Sequence, residues 1–225
     1  MLEVSNISKR YTPIAGIKNI SFTSDGTEVI ALIGPNGSGK STMLNIISGV
    51  LKPDEGHVLL GGLDIHSLSA KRKIGYLPDQ IMVNPQVRVS DLLYMVSDYK
   101  YNGKYKNEIE EEIEKYCLEK YRSERFYKLS MGIKKKVGIL IAFMGKPDVI
   151  ILDEPTNGMD THGILQLKES IMDARKSGST IIISSHILDF VKAIADRSLF
   201  LKDMELNTIA ASKEDLEGIY KGLYL

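Results

Sequence analysis

The chain has a single cysteine, Cys117, so no internal disulfide can form and a scaffold stapled for life outside the cell is excluded. It has no surplus of either charge: Lys+Arg and Asp+Glu both number 29, for a formal net charge of zero. Proteins that grip nucleic acid electrostatically concentrate positive charge, so no nucleic-acid partner is expected. Long apolar runs are missing too. None approaches the roughly 18 residues of a spanning helix, and the longest, Val137 to Met144, has a short buried-helix pattern. If the protein works at a membrane, another chain supplies the membrane part. The opening MLEVSNISKR carries charges where a signal peptide needs an apolar core, so export is not expected. Repeats and low-complexity tracts are absent. What remains is 225 residues, 43% hydrophobic and 26% charged, enough for a full globular core.

The apolar pattern predicts strands alternating with helices. Residues 2–7 and 19–24 read as short strands of alternating polarity. Residues 28–33 are almost continuously apolar, as in a strand buried on both faces of a parallel sheet. A helix is expected over 42–50, and strands with Gly turns at 56–60 and 73–77. The character then changes. Ile109, Ile113, Tyr116 and Cys117 recur at helical spacing within 106–121, and a second helix fits 130–145. Beyond these come a strand at 149–152, a helix at 163–176, a strand at 180–184, a helix at 186–195 and a strand at 198–202. The alternation means βαβ units. The last twenty residues carry no readable pattern and are too few for an added regulatory domain.

Gly34-Pro-Asn-Gly-Ser-Gly-Lys-Ser41 has the P-loop spacing between a predicted strand and a predicted helix. Gly37 and Gly39 let the backbone turn its N–H groups inward around Asn36 and Ser38, toward phosphate oxygens. The loop opens a helix, whose N-terminus favours an anion. Lys40 supplies a positive charge to the β- and γ-phosphates. Ser41 offers a hydroxyl to Mg²⁺, with Thr42 beside it. Downstream, Val149-Ile-Ile-Leu-Asp153-Glu154-Pro155 is an apolar strand ending in two carboxylates. Ligands of open parallel sheets bind at the carboxyl ends of strands. Asp153 is therefore expected to hold Mg²⁺ through its water shell, and Glu154 to orient or deprotonate an attacking water. His186 ends a third apolar strand and is a candidate to donate to the γ-phosphate or hold that water. His57, His66 and His162 are read as structural.

In that order these segments resemble the ATP-binding subunit of an ABC transporter, over nearly the whole chain. GPNGSGKST is the phosphate loop, LSMGIKKK (129–136) is similar to the family's signature loop, DEPTNGMD (153–160) to the acidic strand end and D-loop, and SSH (184–186) to the switch histidine. Tyr11 is similar to the aromatic that stacks on adenine. The resemblance implies an α/β P-loop NTPase with a mainly parallel core, an N-terminal antiparallel β subdomain and an inserted α-helical subdomain. It implies one domain over 1–225, its helical part at about 80–145. It further implies a head-to-tail dimer with two ATP molecules in the interface. Ser130 and Gly132 of one subunit then meet the γ-phosphate held by the other, and Asp160 joins the nucleotide-binding set.

The wording is most similar to stand-alone ATPases of bacterial exporters. ATP with Mg²⁺, a separate transmembrane permease, a second identical or different ATPase subunit and a peripheral place at the inner membrane face are the implied company. A soluble ABC-type clamp acting on ribosome or DNA is the alternative. A GTPase or nucleoside kinase explains neither the signature nor His186, and no Asn-Lys-x-Asp sequence is present.

Two positions depart from the family. Met131 stands where the signature has its first glycine, and either weakens closure or is tolerated by pointing away. Asp79 takes the usual glutamine place after strand 74–78, with Gln80 next. Either Asp79 reaches Mg²⁺ or Gln80 keeps the sensing role. Lys134, Lys135 and Lys136 read as a solvated basic face. Tyr94, Met95, Tyr99, Tyr101 and Tyr105, within about 80–125, either meet the membrane partner or pack inside.

Overall fold

A computed structural model describes residues 1–210 and 215–225. In chain order the elements are β1 (Leu2–Thr12), β2 (Ala15–Ser24), β3 (Val29–Ile33), α1 (Lys40–Ile47), β4 (Glu55–Leu60), β5 (Leu63–Asp64), α2 (Leu68–Arg72) and β6 (Ile74–Leu77). Then follow α3 (Val89–Tyr101), α4 (Glu108–Lys115), α5 (Met131–Phe143), β7 (Val149–Leu152), α6 (Thr161–Lys176), β8 (Thr180–Ser184), α7 (Leu188–Ile194), β9 (Arg197–Lys202), β10 (Glu205–Ala210) and α8 (Leu216–Tyr224).

The strands form two sheets. An antiparallel sheet runs β2-β1-β4-β5, and a six-stranded sheet runs β10-β9-β3-β8-β7-β6. In the second, β9, β3, β8, β7 and β6 are parallel and β10 is antiparallel to β9. This is an α/β architecture with a mainly parallel core and an antiparallel β sheet beside it, as expected.

The apolar runs of β3, β7 and β8 serve two cores at once. Val29, Ala31 and Ile33 face one core together with Ile150, Leu152, Ile181 and Ile183, where helices α3 to α8 pack. Ile30 and Leu32 face the other with Val149, Ile151 and Ile182, against α1 and the antiparallel sheet. Side chains alternate across a strand, so a strand sandwiched between two layers has no polar position. Each such Val, Leu or Ile side chain contributes about 1.5–3 kcal/mol when fully buried.

Several boundaries differ from the sequence reading. The first two strands are not short: they form one long hairpin, because positive-φ residues Asn6 (49°) and Asn19 (48°) shift the register and break the alternation. The helix expected over 106–121 stops at Lys115, and Cys117 adopts a positive φ of 55° and is exposed, off the buried face of Ile109, Ile113 and Tyr116. The basic run is not a solvated face: Lys135 (3% exposed) and Lys136 (7%) are buried. Its helix α5 packs on β6 so tightly that a Cβ on Gly75 would lie 1.7 Å from the Ala142 carbonyl oxygen. The five aromatic and Met residues divide. Met95 and Tyr99 are exposed, whereas the half-buried Tyr101 and Tyr105 donate to the Met144 and Gly145 carbonyls. The closing stretch is also not featureless, since α8 packs Leu216 into the helical core.

Candidate active site

Parallel register brings the functional residues to one edge. Leu77 pairs with Leu152, Leu152 with Ile183, and Leu32 with Ser184, so β6, β7, β8 and β3 end at the same level. The residues that follow are Gly34, Asp79, Asp153 and His186, all leaving the carboxyl edge of the sheet. A cavity of about 710 Å³ opens there, lined by Tyr11, Asn36, Gly37, Gly39, Lys40, Ser41, Thr42, Asp79, Glu154 and His186, with Gly16, Asn157 and Tyr220 among the others.

The phosphate loop is built by close approach. Gly37 and Gly39 have φ of 82° and 105°. A Cβ on Gly39 would lie 2.6 Å from the Gly16 carbonyl oxygen, and one on Gly34 would lie 2.6 Å from that of Leu201. Helix α1 starts at Lys40 without a side-chain cap, which leaves its first N–H groups for a ligand. The Lys40 ammonium donates to the Gly34 and Pro35 carbonyls at 2.8 and 3.1 Å. Burial lowers its pKa, and the charges of Glu154 and Asp153 work against that shift. An anion entering the loop supplies the countercharge that this lysine lacks.

Asp153 is 2% exposed, beneath the cavity. The Ser184 hydroxyl donates to its Oδ1 at 2.6 Å and accepts the Glu154 N–H at 2.8 Å. Glu154 sits at φ 44°, a costly conformation for a non-glycine residue, and that N–H bond helps hold it there. Its side chain meets His186, Oε2 to Nδ1 at 2.8 Å, with the ring N–H donating. The pair joins the ends of β7 and β8 at the cavity wall.

Other sequence-predicted residues lie apart. Ser38 lines a neighbouring recess and Gln80 is exposed outside the cavity lining. Ser130 caps α5, its Oγ accepting the Ile133 N–H at 3.4 Å. Asp160 caps α6, its Oδ1 accepting the Gly163 N–H at 2.7 Å; that bond holds its carboxyl below the usual range. A Cβ on Gly132 would lie 2.6 Å from the Gly158 carbonyl oxygen, so the start of α5 and the loop before α6 touch. Met131 projects outward, 64% exposed. Within one chain these residues do not line the cavity that holds Lys40.

Sequence reasoning missed Ser184, Lys135, Asn157 and Tyr220. Ser184 was within reach, as the last residue of an apolar strand beside the carboxylate strand. Tyr220 carried no signal, because only the docking of α8 brings it to the loop.

Residues 17–157 match the family described as ABC transporter, more than half of the chain. The linearmycin resistance ATP-binding protein LnrL of Bacillus subtilis is 33% identical over 220 residues, covering 96% of this chain and 70% of that protein. The lantibiotic transport ATP-binding protein SrtF of Streptococcus pyogenes is 34% identical over 196 residues, covering 87% and 84%. A dimeric structure of the ATP-binding cassette MJ0796, in a post-hydrolysis state bound to ADP and Pi, superposes with a TM-score of 0.86 at 25% identity, covering 94% of this chain and 98% of that one.

Proposed function

The chain belongs to the ABC transporter family as an ATP-binding subunit, an ATPase, and from that premise we propose that it drives export through a separate membrane permease. The whole of 1–225 acts as one ATPase domain, with its helical subdomain at about 80–145. Two relatives named for linearmycin resistance and lantibiotic transport support the outward direction. No helix among the described residues is long and apolar enough to cross a membrane. In this reading the permease provides the membrane part and the subunit works as a peripheral protein on the inner face. The permease docks in the groove between α2 and α3, of about 750 Å³, where Leu68, Met95 and Tyr99 are exposed.

The observation that carries the mechanism is the split site. Lys40, Glu154 and His186 line the cavity while Ser130 and Gly132 lie outside it. A second copy or a similar subunit, set head to tail, brings its Ser130 and Gly132 to the γ-phosphate, where a helix N-terminus stabilises the anion. Asp160 orders the adjoining loop. Tyr11 stacks on the base. The backbone of residues 36–42 and the Lys40 ammonium hold the phosphates. Glu154, steadied by His186, orients water for in-line attack and takes its proton.

The donor set suits Mg²⁺: the Ser41 hydroxyl and the Asp153 carboxylate are hard oxygens, with Asp79 and Gln80 at the same edge. Once bound, that ion neutralises charge on the phosphates. Asp153 enters this role already oriented by Ser184.

Glu154→Gln tests the reading. Phosphate release falls by about 10²–10⁴, the contribution of one general base. ATP binding persists, and light scattering shows a trapped dimer. Wild-type turnover in this variant, or a chain that stays monomeric with magnesium and a non-hydrolysable analogue, overturns it.

A further inference from the structure

A buried ammonium needs acceptors, or it destabilises the fold. Lys135 is 3% exposed in the second turn of α5, and its acceptors come from two other elements. Its Nζ lies 3.5 Å from Asp79 Oδ1, in the loop after β6. It also donates at 3.3 Å to the backbone oxygen of Asp153, at the end of β7. Those two ends are already joined, because the Asp153 N–H donates to the Leu77 carbonyl at 2.8 Å. Burial draws the pKa of Lys135 down while Asp79, Asp153 and Glu154 oppose the shift. A cation therefore lies beside Asp79 and Glu154, which line the cavity, and the buried Asp153.

The position matters because α5 begins with Ser130 as its cap, followed by Met131 and Gly132. Lys135 is one turn further along the same rigid helix. Asp79 lines the ATP cavity and is half-exposed, so it belongs to both settings. At 3.5 Å the contact is long for an ion pair.

We propose that Lys135 is a positioning residue for ATP hydrolysis: it engages Asp79 as an ion-pair partner, so that Asp79 ties the cavity wall to the signature helix and does not ligate the metal. This rests on the reading of the cavity as the Mg-ATP site. A carboxylate engaged by Lys135 is a poorer competitor for a cation than a free one. The residues left to hold the ion would then be Ser41 and, through its water shell, Asp153.

The test uses four variants of the full chain: Lys135→Gln, Lys135→Arg, Asp79→Asn, and the double Lys135→Gln/Asp79→Asn. Each is followed by fluorescent-nucleotide binding as Mg²⁺ is titrated, and by kcat and KM for ATP. Lys135→Gln frees Asp79, so the half-saturating Mg²⁺ concentration falls by about threefold or more, and the double variant loses that gain. Asp79→Asn alone leaves Mg²⁺ half-saturation within about twofold of wild type. In both single variants kcat drops by about 10- to 100-fold while KM moves by less than about threefold, and the double variant is no worse than either. Lys135→Arg restores most of kcat.

Weaker Mg²⁺ binding in Asp79→Asn makes Asp79 a ligand and overturns the proposal. So do strictly additive effects on kcat. If Lys135→Gln does not fold, Asp79→Asn, whose side chain is half-exposed, decides the matter by its Mg²⁺ titration. If wild-type protein binds no Mg-ATP at all, the reading of the cavity fails instead, which is a distinct result.

Discussion

The Ser184 hydroxyl holds both carboxylate residues at the end of β7, and under the proposed function its removal should be felt in stability and in turnover separately. Ser184 is fully buried. In Ser184→Ala the Glu154 N–H, bonded at 2.8 Å, loses its acceptor, and a buried donor left unpaired costs about 1–3 kcal/mol. Asp153 loses a 2.6 Å bond to its charged carboxylate, of a kind worth about 1.5–3 kcal/mol. The two losses share one atom, so they do not sum in full; about 2–4 kcal/mol is expected in urea unfolding. Turnover should fall further than stability implies. Glu154 is kept at φ 44° partly by this bond, and its relaxation moves the carboxylate that meets His186. A displacement near 1 Å costs about 10²-fold in kcat, with KM for ATP little changed because the phosphate loop is untouched. Ser185→Ala is the control. It is equally buried, but its Oγ only accepts the Ile187 N–H at 3.1 Å, so about 1 kcal/mol is expected. If Ser184→Ala matches Ser185→Ala in both unfolding and kcat, the bond pair does not orient the carboxylates and the reasoning is wrong.

Gly132→Ala sets a Cβ 2.6 Å from the Gly158 carbonyl oxygen. Overpacking of that kind costs about 1–3 kcal/mol and pushes the signature loop from the loop before α6, so ATPase activity should drop while nucleotide affinity of the monomer holds; unchanged activity refutes it. Lys100 is drawn down to about 8 by burial, from 10.5 in an unfolded chain. Between those values the unfolded chain binds the extra proton, so stability rises with pH from about 8 to about 10.5, by up to about 3 kcal/mol, and is flat in this respect below 8. Lys100→Met should be more stable than wild type at pH 7 and should lose the share of that rise that Lys100 supplies, those of the buried Lys40 and Lys135 remaining; urea midpoints of the two proteins across pH 7 to 10.5 decide.

The central sheet was legible because burial on both faces leaves a plain mark. Strands β3 and β7 are apolar throughout and β8 is apolar between Thr180 and Ser184, and each was placed within a residue of where it lies. The hairpin of β1 and β2 was half-hidden, since Asn6 and Asn19 reset the alternation at positive φ. Helix α4 was overextended for a related reason: Tyr116 continues the buried face, and only the backbone shows that Cys117 has already left the helix. Tyr220 was beyond reach, because its place depends on where α8 docks and not on anything local to it.

The lysine run shows that the same sequence held more than its composition suggested. Successive residues of a helix point about 100° apart, so Lys134, Lys135 and Lys136 span about 200° and cannot share one face. Helix α5 is apolar from Val137 to Phe143, and such a helix is enclosed over most of its circumference. At least one of the three had to turn inward, and an inward lysine requires a carboxylate or carbonyl to meet it. The acidic strand end at Asp153 and the unusual Asp79 were the available partners, and Lys135 reaches both loops. Asp79 and the buried cation are therefore read together: the half-exposed Asp79 carboxylate and the Asp153 carbonyl are the acceptors that make an inward Lys135 tolerable.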